Sequence, residues 1–192
     1  MHRIAGKEMA LIQKLIAAAA LALLPAIAAA QASPAIRIPP SLTAGGYYSN
    51  FTPDYTPNRL GGMGIFVDLN LFLHGKLGAE GEARWLRFNQ LQGSYQDNYL
   101  AGPRYSRRYG KFVPYVKFMM GAGEFEFPNN QGHGGYFAYA PGGGLDYRLT
   151  RHFTIRAIDY EYQRWPSAPG GGLPTNGMTP NGFSFGLGYK IF

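Results

Sequence analysis

The chain of 192 residues contains no cysteine, which excludes disulfide staples, thiolate metal sites and cysteine nucleophiles. Charge is scarce as well: Asp, Glu, Lys and Arg make up only 15% of residues, against the roughly one quarter usual for soluble domains. Outside the N-terminus no run approaches the ~20 apolar residues of a membrane-crossing helix. No G-x-S-x-G elbow occurs, and four histidines without close spacing form no metal-ligand pattern. The formal charge is +7, but after Ala32 there remain 15 Lys+Arg and 10 Asp+Glu, a net of +5. A nucleic-acid surface needs clustered Lys/Arg with an aromatic platform; the only basic cluster is Arg104, Arg107, Arg108 and Lys111, so nucleic acid is not an expected partner.

What the chain does have is glycine (27 residues) and aromatics (15%), a composition suited to sheet in a partly apolar medium. Its first 32 residues read as a Sec-type signal peptide: Lys7 and Lys14, then the apolar LIAAAALALLPAIAAA, then small residues around Ala30-Gln31-Ala32. Cleavage is expected after Ala32, with Ala30 as the alternative, and Met9 is a second candidate start beside Met1. Residues 33–40 read as a periplasmic lead-in and residues 41–192 as the folded domain.

Leu60–Phe88 sets the pattern for the rest. Ile65, Val67, Leu69, Leu71 and Leu73 share one parity, with Asp68 and Asn70 on the other. After a tight His74-Gly75 turn, Leu77, Ala79, Gly81, Ala83 and Trp85 oppose Glu80, Glu82 and Arg84. Strand side chains alternate with period two, so this is a hairpin with one apolar and one ionic face. Eight such runs are expected: Ser41–Phe51, Leu60–Leu73, Lys76–Phe88, Ser94–Arg107, Phe112–Phe127, Gly135–Leu149, Phe153–Trp165 and Gly182–Phe192. Thr52–Arg59, Pro128–Gly134 and Pro166–Asn181 are long connections rich in Pro, Gly and Asn; Asn89–Gly93 is moderate. The others are tight. Long loops at one end and short turns at the other are the signature of an all-β, eight-stranded, antiparallel up-and-down transmembrane barrel, with long loops outside and turns in the periplasm.

The second face of each strand decides the medium. It is mostly Gly, Ser and Ala with sparse charges of both signs, which suits a crowded lumen better than a solvated exterior, so the apolar face is assigned to lipid. Aromatics gather in two girdles. Tyr47, Tyr48, Trp85, Phe88, Tyr99, Phe125, Phe137, Tyr139, Tyr162, Trp165 and Phe183 lie toward the long loops. Tyr105, Tyr109, Phe112, Tyr115, Tyr147, Phe153, Tyr189 and Phe192 lie toward the turns. Arg87, Arg164 and Arg156 fall near strand ends, where long side chains snorkel. Pro103 and Pro114 sit near the periplasmic strand ends; Pro141, inside the sixth run, calls for a bulge or kink.

The run Asp159–Trp165 (DYEYQRW) resembles the seventh strand of OmpA-type eight-stranded barrels, and Leu100–Lys117 (LAGPRYSRRYGKFVPYVK) resembles the fourth strand, turn and fifth strand of the families related to OmpA and OmpX. The resemblance implies an integral barrel in the bacterial outer membrane. Its partners would be outer-membrane lipid and lipopolysaccharide, and the barrel-assembly machinery and periplasmic chaperones during biogenesis. It implies a monomer without cofactor. The sequence stops without the peptidoglycan-binding domain of OmpA, so peptidoglycan anchoring does not carry over. Tyr189 and the terminal Phe192 resemble the family's assembly signal, although Phe192 is out of phase with Tyr189 and Ile191.

The expected lumen set is Asp68, Glu80, Glu82, Arg84, Arg104, Lys117, Asp146, Asp159, Glu161 and Lys190. Burial makes an unpaired charge costly, so Arg84, Arg104 and Lys117 are expected to pair with Glu80, Glu82, Asp159 and Glu161. A sealed, structural lumen is one reading; a narrow pore is the alternative. Arg59, Arg87 and Arg164 near the outer rim have the chemistry to meet lipopolysaccharide phosphates. A rim enzyme acting on lipid A is the second alternative. It would need His133 beside Ser94 or Ser167, with Glu124 or Glu126 as orienter. Nothing in the sequence fixes such a triad, and a structural and surface-interaction role without catalysis is expected.

Overall fold

The computed structural model describes residues 40–54, 57–72, 75–130, 132–168 and 177–192. The signal peptide, nearly all of the lead-in, His74 and the middle of the last long connection lie outside the described residues. Alternating runs become eight strands: β1 (Ser41–Thr52), β2 (Leu60–Phe72), β3 (Leu77–Phe88), β4 (Tyr95–Ser106), β5 (Phe112–Glu126), β6 (His133–Arg148), β7 (Phe153–Tyr162) and β8 (Asn181–Lys190). Each pairs antiparallel with its sequence neighbour, and β1 pairs with β8, from Thr43↔Lys190 to Thr52↔Asn181, so the barrel is closed. Closure leaves no free edge, which removes the exposed row of backbone donors and acceptors that lipid cannot satisfy. The start of β1 and the end of β8 meet at the short-turn end, where the Leu42 amide donates to the Phe192 carbonyl.

Boundaries lie within three residues of the expected runs, and several coincide with them. His133, expected in a loop, is the first residue of β6. Positive φ marks the turns at Gly75 (75°) and Gly110 (62°), which glycine adopts without steric cost.

The outer surface is apolar and the interior polar. Met63, Ile65, Val67, Val116, Phe118, Met120, Phe183, Phe185 and Leu187 are exposed, while Asp68, Glu80, Glu82, Arg84, Arg104 and Lys117 are buried. No aqueous protein presents such a continuous apolar belt around a buried ionic interior; a bilayer satisfies both. Exposed rings form bands at both ends, including Phe88, Tyr99, Phe137 and Tyr162 at one and Tyr105, Tyr109, Phe112 and Phe153 at the other. Four residues assigned to the girdles point inward instead: Tyr47, Tyr115, Phe125 and Trp165 are all buried. Tyr115 shares its parity with Lys117, and Tyr47 with Ser49, so alternation overrides the preference of aromatics for the interface.

Two local irregularities correct the expectations. Pro141 lies on the lipid face and produces no register shift; β6 runs through it. The ladder to β7 lapses there instead, between Gly142↔Glu161 and the isolated Tyr139↔Arg164 bridge, because proline offers no amide at its position. The bulge lies further along, opposite Leu145/Asp146 and between Arg156 and Asp159 on β7. It inserts Ala157 as an extra residue, so Arg156, which strict alternation sends to lipid, turns into the lumen and is buried.

If the belt faces acyl chains, Val67→Arg should lower stability in phospholipid vesicles by about 2–4 kcal/mol, whereas Val67→Leu should leave it nearly unchanged. Chemical denaturation measures both. The unheated native chain should migrate anomalously on a detergent gel, and heating should abolish the difference.

Candidate functional site

The lumen is filled by one ionic network contributed by six strands. β2 gives Asp68; β3 gives Glu80, Glu82 and Arg84; β4 gives Arg104; β5 gives Lys117; β6 gives Asp146; and β7 gives Arg156, Asp159 and Glu161. The Lys117 ammonium sits among four carboxylates, with Nζ 2.7 Å from Asp159, 3.1 Å from Glu82, 3.2 Å from Glu80 and 3.4 Å from Glu161. Arg84 meets Glu161 at 2.9 Å and Glu82 at 3.1 Å. Arg156 grips both oxygens of Glu80, at 3.0 and 2.8 Å, the fork geometry that makes Arg–carboxylate pairs strong. Arg104 pairs with Asp68, with Asp146 at 2.5 Å and with Glu80 at 3.3 Å.

Most of the partners are not sheet neighbours. Across β2–β3 Asp68 stands directly opposite Glu80, and across β4–β5 Arg104 stands opposite Lys117. Like charges so placed repel. The attractive contacts run across the lumen: Arg84 on β3 to Glu161 on β7, and Lys117 on β5 to β3 and β7. Asp146 and Arg156, on β6 and β7, are an adjacent pair of opposite sign.

Inward-facing aromatic rings cover the guanidinium planes. Arg156 lies 3.8 Å from the Phe66 ring centroid, Arg104 3.9 Å from Tyr115 and Arg84 4.3 Å from Phe51. These stacks supply cation–π attraction to guanidiniums buried from solvent. Sequence parity had contained the signal: Phe66 shares a face with Asp68, and Tyr115 with Lys117.

Toward the long loops the lumen changes character twice. Gln96, Asn98 and Gln163 form a buried amide tier: Asn98 Nδ2 donates to Gln163 Oε1 at 3.2 Å, and Gln163 Nε2 to Glu161 Oε1 at 2.6 Å. Above it Trp165 donates its indole N–H to Gln163 Oε1 at 2.8 Å and packs in a buried cluster with Phe125, Met119, Met178, Leu100 and Ala168. Gly123 makes room for this cap: a Cβ there would lie 2.2 Å from the Trp165 ring. Phe51, Leu60 and Leu86 form a second apolar cluster.

Of the expected lumen residues, nine enter the network; Lys190 stands apart, half-buried at the short-turn mouth, because the last residue of β8 ends short of the carboxylates. Arg156, assigned by alternation to the lipid side, is a full member, and the bulge that turns it inward has no sequence signature. The outer-rim arginines do not converge. Arg59 bonds Asn50, Arg87 pairs with Asp97, and the Arg164 backbone bridges Tyr139. Tyr189 is exposed against Phe153 and His152, and Phe192 lies exposed beyond β8. His133 stands opposite Glu126 in the β5–β6 ladder, but among the described residues no side-chain hydrogen bond joins it to Ser94, Ser167, Glu124 or Glu126. Glu80, Glu82 and Asp159 come close enough together to share a metal ion, but the Lys117 ammonium already takes an oxygen from each.

A closed eight-stranded barrel with an apolar exterior, aromatic bands and an ionic interior defines the class of small transmembrane β-barrels. The chain belongs to the outer membrane protein beta-barrel domain family, whose sequence profile matches residues 16–190, and it is a bacterial outer-membrane protein. Compared by sequence with curated proteins it has no match. Among solved structures it resembles the neisserial surface protein A, at a TM-score of 0.55 and 11% identity over 79% of this chain and 97% of that one. It also resembles the N-terminal β-barrel domain of OprF from Pseudomonas aeruginosa, at 0.50 and 14% identity over 78% and 97%. At these identities the likeness concerns the fold.

Lys117→Met should cost about 3–5 kcal/mol, because it leaves buried carboxylates without their shared cation. The loss is read from the denaturation midpoint in vesicles, and it should exceed that of Lys76→Met at the exposed mouth several-fold.

Proposed function

We propose that this protein acts through its surface: a structural barrel of the outer membrane whose exposed loops and rim make its contacts, without catalysis and without conducting solute. The observation that carries this reading is the stack of three blocked tiers. Arg84, Gln96, Gln163 and Trp165 are each 0% exposed, so water reaches the middle of the lumen from neither end. A pore would need at least the ionic and the apolar tier to rearrange together. The interface aromatics and the solvent-accessible Arg59 and Arg87 support lipid and lipopolysaccharide as the nearest partners. Arg164, half-buried, is the weakest member of that trio.

Planar-bilayer recording on the native protein should show no defined conductance steps, while Arg84→Ala/Trp165→Ala, which thins both tiers, should produce them. Discrete steps from the native chain would favour the pore. Gln replacements at Arg59 and Arg87 should weaken lipopolysaccharide binding roughly tenfold, the scale of one charge-assisted contact, measured on protein in zwitterionic nanodiscs.

A further inference from the structure

The barrel is blocked toward the loops but open toward the turns. Beneath the ionic network lies a vestibule of about 600 Å³: Asp68, Asp146, Arg104 and Arg156 of the network form its ceiling, and Lys76, Arg108, Arg148, Arg151 and Lys190 stand around its mouth. The first four mouth residues come from the three short turns or their flanking strand ends, and Lys190 from the end of β8, so the fold itself gathers five cations around one cavity. None has an ion-pair partner among the described residues. Arg107, which also touches the cavity, and Lys111, at the same end, lie over the rings of Tyr109 and Tyr147.

The charge of the whole domain is partitioned accordingly. Past residue 40 there are ten acidic residues: six lie in the network, and Asp54, Asp97, Glu124 and Glu126 lie at the long-loop end. The turn end carries none. The network holds six carboxylates against four cations, and the long-loop end four acids against three arginines. The domain's entire positive excess therefore stands at the vestibule.

We propose that this vestibule is a phosphate-binding site. Cations around a concave, low-dielectric wall focus a field that only an anion relieves. Three of the five are guanidiniums, whose paired N–H donors match the oxygens of a phosphate better than a point charge does. At about 30 Å³ per water the cavity exceeds a lone phosphate, and it has room for a diphosphate or for a phosphorylated headgroup. The phosphate comes either from a soluble periplasmic compound or from anionic phospholipid in the adjoining leaflet; the chemistry is the same.

Calorimetric titration with pyrophosphate at low ionic strength, on the protein in phosphatidylcholine nanodiscs, should give saturable one-site binding. Arg148→Gln/Arg151→Gln should weaken it at least roughly tenfold, and His133→Gln at the opposite end should not change it. Heat-modifiable mobility checks that each variant is folded; Arg108→Gln/Lys190→Gln is the substitute where the first pair fails that check. Phosphatidylglycerol added to the discs identifies the source: competition with pyrophosphate assigns the site to lipid headgroups, and unchanged titration assigns it to a soluble phosphate. Absence of saturable binding in phosphatidylcholine discs, or binding equal in the mouth variants and the native protein, overturns the proposal and leaves the basic ring as an electrostatic counterweight to the two surplus carboxylates above it.

Discussion

The cross-lumen ion pairs are the interaction on which the rest depends. Because Asp68 faces Glu80 and Arg104 faces Lys117 within the sheet, an open sheet would place like charges side by side. Only when β1 meets β8 do β3, β5 and β7 confront one another and bring Lys117 among four carboxylates. Buried ion pairs add little net stability over apolar packing, since desolvation consumes most of the Coulomb gain. Breaking one is costly, however, and that asymmetry serves specificity. A register slip by one residue would send every charge to lipid and every aliphatic to the lumen. The network thus penalises wrong closures far more than it rewards the right one.

From this follows the tiered interior. A lumen of eight strands is just wide enough for side chains, so what fills it also seals it. Charges occupy the middle, where strands from all sides converge on Lys117. Amides bridge to the apolar cap through Gln163, whose carbonyl oxygen accepts from Trp165 and Asn98 while its amide donates to Glu161. One side chain therefore couples the polar and apolar halves of the plug. The vestibule, by contrast, meets acid only at its ceiling, where Asp68 and Asp146 are already paired with Arg104; its mouth carries cations alone among the described residues.

Most of the fold was legible because the period-two signal repeats eight times and only one medium reconciles its two faces. Parity alone located nine network residues, since a buried charge must share the interior with the rest of its stripe. Parity failed where backbone geometry departs from the ideal strand: a single extra residue, Ala157, reversed the assignment of Arg156, and nothing in TIRAIDYE announces it. Inward aromatics were misplaced for the opposite reason. Tyr47, Tyr115, Phe125 and Trp165 sit at the right height for a girdle, but orientation, not height, decides which medium a ring meets. The separate positions of Arg59, Arg87 and Arg164 could not be read at all, because convergence at a rim is set by strand stagger and not by any local pattern.

The bulge on β7 shows how structure and charge constrain each other. Without Arg156 the network would hold three cations against six carboxylates, and Glu80 would lose its only two-oxygen partner. An arginine kept on the lipid face would instead carry its charge toward acyl chains. Turning it inward removes that cost and supplies the missing counter-charge in one step, and it places the guanidinium on Phe66. A ladder interruption between Arg156 and Asp159 is the expense: Ala157 is unpaired on both sides and Ile158 toward β8 only. The irregularity is therefore a requirement of the ionic interior, and a straightened β7 would be incompatible with the sealed barrel.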